Sequence, residues 1–159
     1  MSRSISVALA FAVLLTAGGC GFTSSPADNI TFKPPAGWQA SPGIMGFMQL
    51  WKAPGGRDEV LMLFRSPKQI ATSDVMSTAN LKDARIETRQ DVTICGNQAA
   101  QFIKAQGTAT SVGSKSDSSN IEMMMSNTGG ATYMAMYVYP VGGSPNAEAT
   151  AAIRELCAK

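Results

Sequence analysis

The sequence predicts an α+β fold in which an antiparallel β-sheet is sandwiched between helices. Three observations predict it. The length of 159 residues suits a single domain. Several segments alternate with a two-residue period yet would place apolar side chains on both faces, which is typical of covered strands. Helix signals stand near residues 66 and 144, and these helices are expected to supply the cover.

The strands of the N-terminal half are predicted from the two-residue alternation. In the segment that follows Pro54-Gly55-Gly56, Leu61 and Leu63 would share one face and Met62 would lie on the other. Both faces of this strand would therefore be buried. The predicted strands are residues 30–33, 44–51 and 59–65.

Two hairpins are predicted in the C-terminal half, because short glycine-containing turns separate extended apolar segments. Gly96-Asn97 forms the first turn and residues 127–130 form the second. A Ser/Gly-rich connector, residues 110–120, joins the two hairpins. The predicted strands are residues 85–95, 98–109, 121–126 and 131–140.

Two helices complete the predicted domain. The first begins at Ser66-Pro67 or at Thr72 and ends near Lys82, since Ser or Thr caps a helix and Pro suits its first turn. The second begins at Ser144-Pro145 and runs into the C-terminal residues. Its apolar residues recur at the spacing of one buried helix face. They are Ala149, Ala152, Ile153 and Leu156.

The N-terminus carries an export signal. A positive start containing Arg3 precedes an apolar run over residues 5–15, which has the length of a secretory segment and is too short to span a membrane. Ala17-Gly18-Gly19-Cys20 follows and resembles the lipobox of bacterial lipoproteins. The resemblance implies that Cys20 receives a diacylglyceryl group and becomes the first residue after cleavage. An ordinary secretory signal cut near Gly19 is the alternative.

The chain accordingly divides into three parts. Residues 1–19 are the lipoprotein signal peptide, residues 20–29 are the lipidated cysteine with a small, polar, flexible tether, and residues 30–159 are one domain. We expect an exported protein that its lipid holds on the bacterial cell membrane or the outer membrane. The domain would then lie in the periplasm or on the outer surface.

The three cysteines are an odd number for an exported chain. Lipidation of Cys20 accounts for one of them, and an oxidising compartment would pair Cys95 with Cys157. The chain has no Cys-x-x-Cys and no histidine, so redox catalysis and a zinc site are both disfavoured. We therefore predict a structural disulfide between Cys95 and Cys157.

The composition disfavours an enzyme and a nucleic-acid binder. The sequence has no histidine to act as a general base and no Gly-x-Ser-x-Gly motif. A net charge of +2 is too small for electrostatic binding of nucleic acid. Glu59 and Asp91 stand at strand ends or turns, so we interpret them as solvated charges and not as a catalytic carboxylate pair. We predict no catalytic residues, no cofactor and no metal.

The methionine content leaves one metal-binding alternative open. Five of the ten methionines, among them Met123, Met134 and Met136, fall on two strands that are predicted to pair. Thioethers are soft ligands for Cu(I), but methionine also fills irregular gaps in cores. Met134 and Met136 would share a face with Val138, which favours the core role. A periplasmic, methionine-rich copper-binding protein is therefore the alternative.

The order of elements is similar to that of the Mog1/PsbP-like family. The resemblance rests on residues 30–38, which end in Pro35-Ala36-Gly37-Trp38, on residues 92–100 with their strand-Gly-x-x-Ala turn, and on the closing helix. It implies an α/β/α sandwich and a binding or accessory module without catalytic activity. We expect contact with the membrane through the N-terminal lipid and with an unidentified protein partner. An inhibitor or stability factor for a secreted enzyme is a further alternative.

Overall fold

The computed structural model describes residues 30–41, 48–78, 81–109 and 118–158. Within these ranges the chain forms strands and helices that we number in chain order. The strands are β1 (Ile30–Thr31), β2 (Gln39–Ser41), β3 (Met48–Lys52), β4 (Val60–Ser66), β5 (Leu81–Ile94), β6 (Gln98–Ala109), β7 (Ser118–Thr128), β8 (Ala131–Pro140) and β9 (Cys157–Ala158). The helices are α1 (Val75–Thr78) and α2 (Ala147–Arg154), and Pro54–Gly56 and Thr72–Asp74 are short 3-10 helices.

Seven strands form one antiparallel sheet in the order β2-β3-β4-β8-β7-β6-β5. The predicted antiparallel sheet is thus confirmed, and β5–β6 and β7–β8 pair as the two expected hairpins. Strand β8 pairs with β4 on its other side, so it joins the two halves of the chain. β1 and β9 pair only with each other, with Ile30 opposite Ala158.

One face of the sheet packs against α2. Ala149, Ile153 and Leu156 from this C-terminal segment are at most 1% exposed, and they form one apolar cluster with sheet residues that include Phe102 and Tyr137. Burial of a large apolar side chain stabilises a fold by roughly 1.5–3 kcal/mol. This layer therefore holds α2 on the sheet.

The other face is lined mainly by methionine and aliphatic side chains. Val75 and Met76 of α1 belong to this second cluster. In the described part of the chain, α1 is a single helical turn on this face, so the helical layer expected here is not confirmed. The methionines of the cluster are Met62, Met76, Met123, Met125, Met134 and Met136.

The first predicted helix begins at the later of its two expected starts, Thr72, and not at Ser66-Pro67. Among the described residues of this segment, helical conformation is confined to Thr72–Asp74 and α1. The preceding backbone is held by side chains, because Ile70 N donates to Thr132 Oγ1 at 2.7 Å and Asn127 Nδ2 donates to Ile70 O at 3.1 Å. These bonds replace intrahelical ones. Lys82, where the helix was expected to end, lies instead in β5.

The second helix is present but begins later than predicted. Asn146, not Ser144, is the N-cap, and its Oδ1 accepts hydrogen bonds from Glu148 N and Ala149 N at 2.9 and 3.2 Å. Strand β2 was not predicted and extends the sheet by pairing with β3. Among the described residues, no helix has both the length and the apolar content required to cross a membrane.

Candidate functional site

The structure joins Cys95 and Cys157 in a disulfide with Cα atoms 5.5 Å apart. Cys95 leaves β5 at a positive φ of 53°, a conformation that the tight turn into β6 demands of this residue. Cys157 begins β9. The bridge therefore fastens the C-terminal strand to the end of the β5–β6 hairpin. Cys20 lies outside the described residues, so its lipidation stays a prediction.

A buried acidic residue lies between α2 and the sheet. Glu122 on β7 is 1% exposed, and its Oε1 forms an ion pair of 2.9 Å with Lys104 Nζ on β6, without a hydrogen bond of regular geometry. Its Oε2 accepts a hydrogen bond of 2.6 Å from Thr150 Oγ1 on α2. Because Glu122 and Lys104 stand opposite each other in the ladder, the strand register itself brings the pair together.

Glu59 is a second buried carboxylate, which corrects its interpretation as a solvated charge. It is 8% exposed and accepts a hydrogen bond of 2.9 Å from Tyr137 OH. The Tyr137 oxygen in turn accepts from Asn146 N at 3.0 Å. This chain of bonds links the residue before β4, the middle of β8 and the start of α2. Asp91, in contrast, is exposed as expected.

The protonation states of this polar layer follow from burial and pairing. Burial raises the pKa of Tyr137 and Tyr139 above the ordinary tyrosine value. The close contact with the Glu122 carboxylate raises the pKa of Lys104. Tyr137 is therefore protonated and able to donate to Glu59 across the physiological range, and Lys104 is charged.

Aromatic contacts complete the layer beneath α2. The Arg154 guanidinium lies over the Phe102 ring, with Cζ 3.9 Å from the ring centroid. Tyr137 stacks on Tyr139 with ring centroids 4.9 Å apart, and Trp38 meets Tyr137 edge-on at 6.2 Å. The acidic, aromatic and hydroxyl groups of the layer thus contact one another, and together they dock α2 on the sheet.

Methionine sulfurs from three strands share the opposite face. The registers place Met136 between Met62 and Met123 in one cross-strand row, and Met134 beside Met125 in the next. All five residues are at most 4% exposed. Met62 was not among the methionines considered from the sequence as copper ligands. It lies in the same row because β4 pairs with β8. In the described ranges, no group of three or more His, Cys, Asp or Glu residues is arranged to hold a metal ion.

A shallow groove of about 270 Å³ lies between the 3-10 helix Thr72–Asp74 and the strands β5 to β7. Its polar groups bond to one another: Thr72 Oγ1 donates to Gln101 Oε1 at 2.7 Å, and Gln101 Nε2 donates to Asp91 Oδ1 at 2.8 Å. These bonds connect the segment before α1 to the outer strands β5 and β6. These polar groups of the groove are therefore engaged in a contact within the fold.

The sequence interpretation missed Glu122 although one signal pointed to it. Glu122 is the single charge between Ile121 and the methionines that follow. Once the two hairpins are aligned side by side, Lys104 faces it across the ladder. That alignment requires the pairing of β6 with β7, which depends on the long connector and cannot be derived from local periodicity.

Comparison with known proteins identifies the class of fold. No protein-family model and no curated protein matches the sequence. A solved structure from Bacteroides thetaiotaomicron VPI-5482 matches with a TM-score of 0.56 and 16% identity, covering 86% of this chain and 47% of that one. This chain therefore spans about half of that structure's length.

A second solved structure gives the class its name. Cyanobacterial PsbP (CyanoP) from Synechocystis sp. PCC 6803 matches with a TM-score of 0.53 and 18% identity, covering 81% of this chain and 88% of that one. The two likenesses show that the domain has a PsbP-like fold, as the resemblance in the sequence implied. At these identities they establish the fold alone.

Proposed function

We propose that the protein is a lipid-anchored, non-enzymatic binding or accessory module of the bacterial cell envelope. The observation that carries the proposal is Cys20, which follows an apolar export segment and two glycines. The first described residue, Ile30, is already buried at 5% exposure in the core. The tether of residues 20–29 would thus connect the lipid directly to a folded domain.

The contacts of the two buried carboxylates support a non-enzymatic role, because both groups are used to hold the fold together. Glu59 and Glu122 are the groups whose burial would ordinarily suggest catalysis. Each is bonded to its neighbours in the fold, Glu59 to Tyr137 and Glu122 to Lys104 and Thr150. These contacts position α2, so the two carboxylates have a structural task that explains their burial.

Membrane fractionation tests the anchor. The full-length protein is expected in the membrane fraction, and a Cys20→Ser variant is expected in the soluble exported fraction with the same thermal unfolding curve. Mass spectrometry should find diacylglyceryl on the N-terminal Cys20 of the mature protein. Ser24→Ala, in the same tether, is the matched control and should stay membrane-bound. Retention of Cys20→Ser in the membrane would contradict the anchor.

Photo-crosslinking in cells tests the binding role. Val141, in the turn after β8, is the large apolar side chain that stands out as exposed among the described residues, at 50%. A photoreactive residue at this position should yield a discrete crosslinked species in the envelope. The same residue at exposed Glu148 on α2 is the control. The control site is expected to yield none, and absence of a discrete species at Val141 would count against a binding module.

Copper binding is a second candidate, and one observation favours it. Met62, Met123 and Met136 stand in a single row on adjacent strands, where opposed side chains lie about 4.5–5.5 Å apart at Cβ. A Cu(I) competition titration should detect tight binding that Met136→Leu abolishes. Met124→Leu, on the other face of the sheet, is the matched control. Equal, weak binding by all three proteins would remove this candidate.

A further inference from the structure

Strand β5 forms one outer edge of the seven-stranded sheet. With 14 residues it is the longest strand of the described chain. An edge strand leaves a row of backbone N–H and C=O groups that a further strand can pair with. The other edge, β2, has only three residues. Strand β5 is therefore the edge with the length to accept a partner.

The two halves of β5 differ in regularity. Its ladder with β6 is irregular between Lys82 and Arg85 and again between Ile86 and Thr88, and Asp83 has a φ of 51°. From Thr88 to Ile94 the register runs without interruption. Bulges bend an edge away from partners, so pairing is confined to the regular half.

The first part of the regular half is exposed on both faces of the sheet. Thr88, Arg89, Gln90 and Asp91 are all exposed. Arg89 forms no ion pair or hydrogen bond through its side chain within the described ranges, whereas Asp91 accepts one bond from Gln101. An unpaired arginine two residues from an aspartate thus lies on the sheet edge.

The order of these charges is complementary to itself. If two β5 strands pair antiparallel about Gln90, Arg89 of one copy stands opposite Asp91 of the other, and the reverse pair forms on the far side of the two-fold axis. Moving the centre to Arg89 would oppose two arginines, and moving it to Asp91 would oppose two aspartates. Like charges directly opposite each other are destabilising, and a centre at Thr88 would require pairing of the irregular residues before it. Within the regular half, the charges therefore favour the register about Gln90.

We propose that the Thr88–Val92 edge of β5 is a homodimer interface, in which two copies of this chain join their sheets antiparallel about Gln90. The interface is small, so the dimer is expected to be reversible and concentration-dependent. The charges on the edge then have two effects: they prevent indiscriminate strand pairing and they permit pairing with a second copy in one register.

Charge reversal tests the proposal. Sedimentation of the purified protein between about 10 µM and 1 mM should show a monomer–dimer equilibrium. Arg89→Asp and Asp91→Arg should each weaken the dimer at least about tenfold, because each places like charges opposite each other twice. The double variant Arg89→Asp/Asp91→Arg should restore the dimer. Lys68→Asp and Glu155→Arg, at exposed sites elsewhere, are the controls for net charge.

A crosslink tests the register. Opposed Cα atoms in an antiparallel pair lie about 4.5–5.5 Å apart, within reach of a disulfide. Gln90→Cys should therefore crosslink to its own counterpart on oxidation, while Thr93→Cys should not. A monomer at every concentration, single variants that dimerise like the wild type, or failure of Gln90→Cys to crosslink would each overturn the proposal.

Discussion

At the residue scale, Glu122 shows how this fold accommodates a charge in its interior. The carboxylate is almost fully buried, but its partner Lys104 keeps 43% of its side chain exposed. The pair thus has one buried and one solvated member. Such a pair costs less to desolvate than two buried charges, and it is stabilised further by Thr150 on the helix above.

Removal of the Glu122 charge should destabilise the domain. Glu122→Gln keeps the size of the side chain but weakens the contact with Lys104, and we expect a loss of about 1–3 kcal/mol in the free energy of unfolding. Lys104→Gln should cost more, because it leaves the buried carboxylate without a counterion. Urea denaturation measures both. The exposed control Glu155→Gln should change little, and a neutral result for Lys104→Gln would contradict the role assigned to the pair.

Titration of Tyr137 should make the folded protein less stable at alkaline pH. Its pKa is raised in the folded state, so the unfolded chain loses the phenolic proton first, near pH ~10. The resulting stabilisation is fully present below that pH and is lost as the pH rises beyond it. Tyr137→Phe should reduce this alkaline decline while lowering stability at neutral pH, where Glu59 loses its donor. Unfolding free energies measured from neutral to strongly alkaline pH test this, and an unchanged slope would contradict it.

At the residue scale, the sequence was sufficient to predict the disulfide but not the burial of Glu59. Cys95 and Cys157 were paired from the count of cysteines, and the structure contains that disulfide. Glu59 was misinterpreted because its position beside a strand end suggested solvent. Its burial depends on Tyr137, which comes 78 residues later in the chain, and no local pattern reports so distant a donor.

At the element scale, α2 is determined mainly by its local sequence, whereas the segment predicted as the first helix is determined mainly by tertiary contacts. α2 has an apolar face, an N-cap and charges that suit its dipole, so its existence follows from local sequence. The earlier segment has caps and a proline but a short apolar stripe. Its backbone is held instead by Thr132 and Asn127 of the β7–β8 hairpin, and tertiary bonding overrides the local preference.

The N-cap of α2 provides a direct test of where the helix starts. Asn146→Ala removes an acceptor for two backbone donors, and we expect a loss of about 0.5–2 kcal/mol in stability. Ser144→Ala, at the start expected from the sequence, should cost less than about 0.5 kcal/mol. Thermal unfolding compares the two variants. A larger effect at Ser144 than at Asn146 would contradict the observed boundary.

At the scale of the whole molecule, more of the sheet than of the helical layers on its faces could be predicted from the sequence. Hairpins and strands with two apolar faces follow from periodicity and turn residues, and the antiparallel arrangement follows from the hairpins. The placement of β8 between β4 and β7 could not be derived, because it depends on contacts between distant segments. The methionine row depends on that placement, whereas the Glu122–Lys104 pair depends on the pairing of β6 with β7.

The disulfide is expected to be a large contribution to global stability. It closes a loop with a sequence separation of 62, for which chain entropy gives about 4 kcal/mol. A Cys95→Ser/Cys157→Ser double variant should lose most of this amount in guanidinium denaturation. The wild type measured in a reductant should show the same loss. Equal stability of the oxidised and reduced proteins would contradict the expectation.

The pairing of β1 with β9 has a practical consequence for work with this protein. Ile30 and Ala158 are partners in the same ladder, so the first and last described strands run alongside each other. A label or fusion attached directly after β9 would therefore emerge next to the start of β1. Attachment in the β7–β8 turn at Gly129 or Gly130, which are both exposed, would instead leave the β1–β9 pair undisturbed.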